Sequence, residues 1–336
     1  MGNLKNRLKI INQLKKNNVS KEQKSSVADI DSLPGWTQCG HKVLKREIAL
    51  KTVLNTKDKL PQAMQVLVPD LHGRPLPEIK DFLFFDLETT GLSGGAGTVA
   101  FLAAFGRFIP DGKLCVIQYL LLDYPGENDF LEAVLKEFAD NKTVAVTYNG
   151  KTFDSQILKT RCLMNGIRPP NYRHADLLHP ARRLWKNIIY DCSQASVETK
   201  ILGLDRTGDI PGSEAPDIWF EFLKTGKTDR LFGICDHNTA DISGLAEMLT
   251  AIIKIAGDPL GQKEYNYDIP RLAFFWRFFC CRGKRYLLPQ NKNILETCMK
   301  LLNHVAKSNY PNNIKSEAQR FISIYERRWK KGIKVR

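Results

Sequence analysis

Phe82-Leu83-Phe84-Phe85-Asp86-Leu87-Glu88-Thr89-Thr90-Gly91-Leu92 places two carboxylates two residues apart at the end of an apolar run. In a strand, residues i and i+2 point to one face. Asp86 and Glu88 therefore converge, and like charges held that close need a cation between them or a raised pKa. Threonines and glycines follow at once, through Gly97. The pair thus sits where a buried strand opens into a loop, a place that a substrate can reach.

Residues 82–85, 99–108 and 114–122 have strand character, and Pro110-Asp111-Gly112 between the last two is a turn signal that predicts antiparallel neighbours. A helix is expected over 128–138, with Phe130, Val134, Leu135 and Phe138 on one face. The Val144-Ala145-Val146-Thr147 run then reads as a buried strand. Tyr148-Asn149-Gly150 turns the chain into a helix near Asp154 to Met164, and a short strand at 173–177 precedes helices to about residue 254. Strands first, alternation next and a helical finish describe an α/β domain with a mixed sheet flanked by helices.

The expected organisation has four parts. Residues 1–27 form a basic N-terminal arm, and 28–80 a connecting region with a short hairpin or two. Residues 81–255 form the α/β domain, and 256–336 a basic, all-helical extension. Within the extension, the stretch from Arg271 to Arg277 resembles that from Arg320 to Arg327, a weak self-similarity that suits either stacked TPR-like helices or an ordinary helical cap.

Charge follows the same division. The formal net charge is +14, yet residues 1–27 carry seven Lys/Arg against one acid and 271–336 carry sixteen against three, so the middle is net acidic. Basic segments flanking an acidic centre suggest a polyanionic partner, most simply nucleic acid, bound through counterion release. Eight scattered cysteines without a CxxC pair read as reduced intracellular thiols, and Cys39 with His41 lacks a second pair at zinc spacing. The apolar run 273–281 is short and broken by Arg277, and the N-terminus has no hydrophobic signal core. These features argue against export and membrane spanning and for a cytoplasmic protein.

Three acidic positions can join into one site. Asp86 and Glu88 are the first. Asp154, entering with the first turn of a helix after a Gly turn, is the second. His237-Asn238-Thr239-Ala240-Asp241 is the third, its first and last residues sharing a helix face. Four carboxylates and an imidazole are what two divalent cations require: hard oxygen ligands for Mg²⁺ or Mn²⁺, and a base for water. Asp176 is read as structural, Lys151 as solvent-exposed, and His174 and His179 lack metal-like partners.

Phe85 to Leu92, Asn149 to Asp154 and His237 to Asp241 resemble the three exonuclease motifs of the DEDD superfamily on the RNase H-like fold. Ser93 to Leu102, Asp176 to Trp185 and Gly208 to Pro216 are similar to blocks of the bacterial YprB-like group of predicted exonucleases. The resemblance implies a metal-dependent 3′–5′ exonuclease, with Asp86, Glu88, Asp154 and Asp241 holding two Mg²⁺ or Mn²⁺ ions and His237 as general base. In one respect the chain departs from the pattern. Members that use a histidine place it five positions before the last aspartate, whereas His237 stands four before Asp241, the spacing of the tyrosine branch. The rival expectation is a non-catalytic nucleic-acid-binding or scaffold protein on the same fold. The C-terminal helices offer a surface for a protein partner.

Overall fold

The computed structural model describes residues 34–52, 54, 57–91, 95, 97–110, 112–281 and 292–330. The basic arm at 1–27 lies outside them. The strands are β1 (Trp36–Gly40), β2 (Val43–Lys51), β3 (Phe82–Thr89), β4 (Ala100–Ile109), β5 (Lys113–Leu121), β6 (Val144–Thr147) and β7 (Arg173–Asp176), joined in one sheet of order β1-β2-β5-β4-β3-β6-β7. β1 to β5 pair antiparallel, whereas β6 runs parallel to β3 and β7 parallel to β6. β4 and β5 are the antiparallel neighbours expected around Pro110-Asp111-Gly112. The hairpin expected within 28–80 is β1–β2, and it extends the sheet, since β2 pairs with β5 from Val43↔Leu121 to Lys51↔Lys113.

The principal helices are α1 (Glu127–Lys136), α2 (Asp154–Met164), α3 (Leu178–Trp185), α4 (Ala215–Thr225), α5 (Asp229–Gly257), α6 (Ile269–Cys281), α7 (Lys292–Lys307) and α8 (Asn312–Lys330). Alternation along β3 divides the core. Leu83, Phe85 and Leu87 face α1, α2 and α4, packing with Phe130, Val134, Ile157, Leu158 and Trp219. Phe82 and Phe84 face the other way, onto Ile242, Leu245 and Leu249 of α5. A buried strand covered on both faces reads as a continuous apolar run. The Phe82 to Phe85 segment has that form.

The C-terminal helices close onto the second face. Trp276, Leu301, Val305 and Phe321 belong to the core cluster that holds α5 and Trp185. The two look-alike segments fall on α6 and α8, where the Arg277 guanidinium lies 3.3 Å from the Phe321 ring. They pack against each other. No helix among the described residues is long and apolar enough to cross a membrane.

Candidate metal centre

The even-numbered residues of β3 pass from apolar to acidic without changing face. Phe82 and Phe84 lie under α5, so Asp86 and Glu88 emerge beneath the same helix, one or two turns earlier along it. Glu88 is 8 % exposed. α5 brings His237 and Asp241 over them. Atoms of the Glu88 carboxylate, the His237 imidazole and the Asp241 carboxylate lie within 4.8 Å of one another.

Asp154 arrives from the other side. β6 ends at Thr147, and Asn149 takes φ 65°, a left-handed conformation that asparagine tolerates better than most residues. Gly150 follows in a position with no room for a side chain: a Cβ there would lie 2.6 Å from Asp154 Oδ2 and 2.6 Å from Thr147 Cβ. The turn is held by Asp176, whose carboxylate accepts the backbone N–H of Asn149 at 2.9 Å, of Lys151 at 3.3 Å and of Leu178 at 3.1 Å. Asp176 thus has the structural place expected of it. The Lys151 ammonium is half exposed and pairs with Asp70.

Burial dominates the electrostatics. It pushes the Asp86 carboxyl up to about 7, and the nearby Asp241 charge adds to the effect, with the Asn238 hydrogen bond opposing both. Glu88 and Asp154 are held well above the ordinary carboxylate range by burial and then by Asp86. The Glu88 carboxylate accepts no hydrogen bond from any described residue. A group of buried acids resisting ionisation, with one carboxylate unpartnered, is a donor set short of positive charge. Hard oxygen donors suit divalent cations, so the residues fit the ions that the motifs imply.

One cation is built into the chain. The Arg206 guanidinium bonds Asp241 Oδ1, Glu198 Oε2 at 2.6 Å and Asp209 Oδ2 at 2.8 Å. Glu198 is 0 % exposed and lies against Gly244, where a Cβ would meet Glu198 Oε1 at 1.7 Å. Asp209 Oδ2 also lies 2.9 Å from His237 Nδ1. Carboxylates accept, so the protonated ring donates from both nitrogens, Nδ1 to Asp209 and Nε2 to Asp241 Oδ2 at 3.2 Å. The imidazole is drawn down by burial, but its bonds to Asp241 and Asp209 win, raising it to about 9. A Cβ on Gly212 would lie 3.1 Å from His237 Nε2 and 3.9 Å from Glu88 Oε1, so the 208–216 segment forms one wall of the site.

On the opposite side, Asn238 donates to Asp86 Oδ2 at 2.7 Å. Its own carbonyl accepts from Gln118 at 3.0 Å, and Gln118 accepts from Arg46 at 2.9 Å.

All five expected site residues are thus brought together around the carboxyl end of β3. A model of the RNase H superfamily matches residues 83–253, half of the chain. The chain belongs to the RNase H superfamily. Within that match lie the strand bearing Asp86 and Glu88, the turn before Asp154 and the helix bearing His237 and Asp241. The chain is 39 % identical over 190 residues to the uncharacterised protein YprB of Bacillus subtilis (strain 168), a match that takes in 55 % of this chain and 45 % of YprB. It therefore spans less than half the length of that relative. Among solved structures it is similar, at TM-score 0.40 and 16 % identity, to the family B DNA polymerase of Pyrobaculum calidifontis, over 59 % of this chain and 29 % of the polymerase.

Membership of the RNase H superfamily directs attention to acids on strands and helices, and the residues that sequence reading passed over are of another kind. Asn238 lay inside the quoted motif and Asp209 inside the Gly208 to Pro216 block. Glu198 and Arg206 carried no local signal, since their pairing is made across folded elements.

Proposed function

We propose that this RNase H-superfamily chain is a metal-dependent 3′–5′ exonuclease of DEDD type. The observation that carries this reading is the cluster of buried acids, Asp86, Glu88 and Asp154, all displaced upward from the carboxylate range beside Asp241. Two divalent cations, Mg²⁺ or Mn²⁺, would polarise the phosphodiester, activate water and stabilise the leaving oxygen. Asp86, Glu88, Asp154 and Asp241 would hold them. The Gly208 to Pro216 wall would keep the scissile phosphate over the acids, and Arg206 would offset part of the cluster's negative charge, easing approach of a polyanion.

The 81–255 unit would do the chemistry, and the basic segments at 1–27 and 271–336 would supply backbone affinity independent of base sequence. A cytoplasmic setting agrees with the free thiols of Cys39, Cys115, Cys162, Cys192 and Cys235.

The deciding experiment incubates end-labelled DNA and RNA oligonucleotides with Mg²⁺ or Mn²⁺, comparing the native chain with Asp86→Asn. Stepwise shortening from the 3′ end, absent in the variant, is the expected result. Failure of the native chain to cut any substrate would leave the rival reading, a nucleic-acid-binding protein on the nuclease fold.

A further inference from the structure

The four-residue spacing of His237 and Asp241 has a geometric result that bears on what the histidine does. Residues at i and i+4 lie one above the other on a helix, and Nε2 of His237 stands 3.2 Å from Oδ2 of Asp241, a hydrogen bond in the metal-free chain whose proton an ion would replace. Two donors each about 2.1 Å from one ion, at tetrahedral or octahedral angles, stand roughly 3.0 to 3.4 Å apart. The third donor is Glu88, a residue 8 % exposed whose carboxylate lies within 4.8 Å of both and accepts no hydrogen bond from any described residue. It is the unpartnered group aimed into the cluster.

The other ring nitrogen is already committed. Nδ1 bonds Asp209 at 2.9 Å, and Asp209 is in turn bonded by Arg206 at 2.8 Å. A metal-bound histidine nearly always donates its second N–H to a carboxylate or carbonyl, which fixes the tautomer and the ring plane. With Nδ1 bound to Asp209 and Nε2 on an ion, the ring has no basic nitrogen left for a water proton.

We propose that His237 is a metal ligand and not a base: with Glu88 and Asp241 it forms a mixed nitrogen and oxygen site for a transition-metal dication, and Asp209 positions its ring. Imidazole nitrogen favours first-row transition metals, whereas Mg²⁺ prefers oxygen and water. The site therefore selects Mn²⁺ over Mg²⁺. This rests on the metal-dependent reading above, and binding measured without nucleic acid separates the two.

The test is calorimetric titration of the full native chain, His237→Ala, His237→Gln and Asp209→Asn with Mn²⁺ and with Mg²⁺, after thermal melts confirm that each variant is folded. Pulsed EPR of the Mn²⁺-loaded proteins then looks for nitrogen coupling. Native protein is expected to show imidazole nitrogen coupling to Mn²⁺ and tighter binding of Mn²⁺ than of Mg²⁺. His237→Ala and His237→Gln should lose the coupling and weaken Mn²⁺ by at least about tenfold with little change in Mg²⁺. Asp209→Asn should weaken Mn²⁺ about 10- to 100-fold, the usual range for a group that orients a ligand. Absence of nitrogen coupling in the native protein, or Mn²⁺ affinity unchanged in both His237 variants, would overturn the assignment even if the chain cleaves nucleic acid.

Discussion

The side-chain amide of Asn238 donates to Oδ2 of Asp86 across 2.7 Å, so the residue next to His237 reaches down to the first acid of β3. Asn238 and Gln118 are both 0 % exposed, and the line of donors runs from Arg46 on β2 through Gln118 to Asn238 and Asp86. Buried amides joined end to end orient one another, and each is costly to leave unpaired. Asn238→Ala removes the one described side-chain donor to Asp86 and strands Gln118's bond. It should destabilise the fold by about 1 to 3 kcal/mol and weaken divalent-cation binding, because the Asp86 carboxyl is then harder to ionise. Urea unfolding and metal titration check both. Native-like values in each would show that the relay does not hold Asp86.

Arg206 presents the reverse problem, a cation shared by three acids. Glu198 is fully buried, and Arg206 bonds it twice, at 2.6 and 2.8 Å. Breaking a buried pair by removing one partner costs about 3 to 5 kcal/mol because the other charge is left behind. Arg206→Met should therefore be severely destabilised, and Arg206→Met with Glu198→Gln should recover much of the loss. Denaturant midpoints of the two variants and their parent measure this directly. If the double variant is as unstable as the single one, the guanidinium stabilises through Asp209 and Asp241 instead.

Gly150 tests whether the Asp154 turn tolerates any side chain. Its Cβ would intrude to 2.6 Å on both Asp154 and Thr147, and one of those contacts is the main-chain-proximal carbon of a buried strand residue. Gly150→Ala should cost about 1 to 3 kcal/mol by overpacking, and should shift Asp154 away from Asp86. Thermal melts and divalent-cation titration are the readouts. A variant with native melting temperature and native affinity would show that the turn has slack.

The sheet was legible because its signals are local. The apolar Phe82 to Phe85 run, the Pro110-Asp111-Gly112 turn and the Asn149-Gly150 turn each act over a few residues, and β3, the β4–β5 pair and α2 appear where these place them. That Asp86, Glu88, Asp154, His237 and Asp241 would meet was legible because motif spacing maps onto strand and helix periodicity. Arg206, Glu198 and Asp209 were not, since they meet through a loop and a helical turn whose mutual placement no short-range pattern encodes. Nor was the extension of the sheet by β1 and β2, because a hairpin's turn residues say nothing about which edge it joins. The spacing of His237 was visible from the start. Its role depends on the fold, which sets Nε2 beside Asp241 and Nδ1 beside Asp209.

In the absence of metal, stability depends on pH through the buried acids. Asp86 is raised from its ordinary value to about 7, so between roughly pH 4 and 7 the folded chain binds a proton that the unfolded chain has released. Stability from this group is full below the unfolded pKa and falls as pH rises through 7. Glu88 and Asp154 shift in the same direction by burial. His237 has the same sign over a higher window, full below about 6.5 and lost as pH rises through about 9. Asp191, lowered to about 2, acts below this range, whereas His72 and His174, lowered from 6.5 by burial, oppose the trend below about pH 6.5. The chain in EDTA should therefore lose stability between about pH 6.5 and pH 9, and Asp86→Asn should flatten the part of that slope around pH 7. Divalent cations bind the deprotonated donors of the folded state, adding about 2.7 kcal/mol at a hundredfold excess over Kd. Their stabilisation should consequently grow with pH and offset the decline. Urea midpoints at pH 5, 7 and 9, in EDTA and in saturating Mn²⁺, measure both effects. A midpoint in EDTA that does not fall between pH 7 and pH 9 would show that the fold does not hold protons on Asp86 and His237.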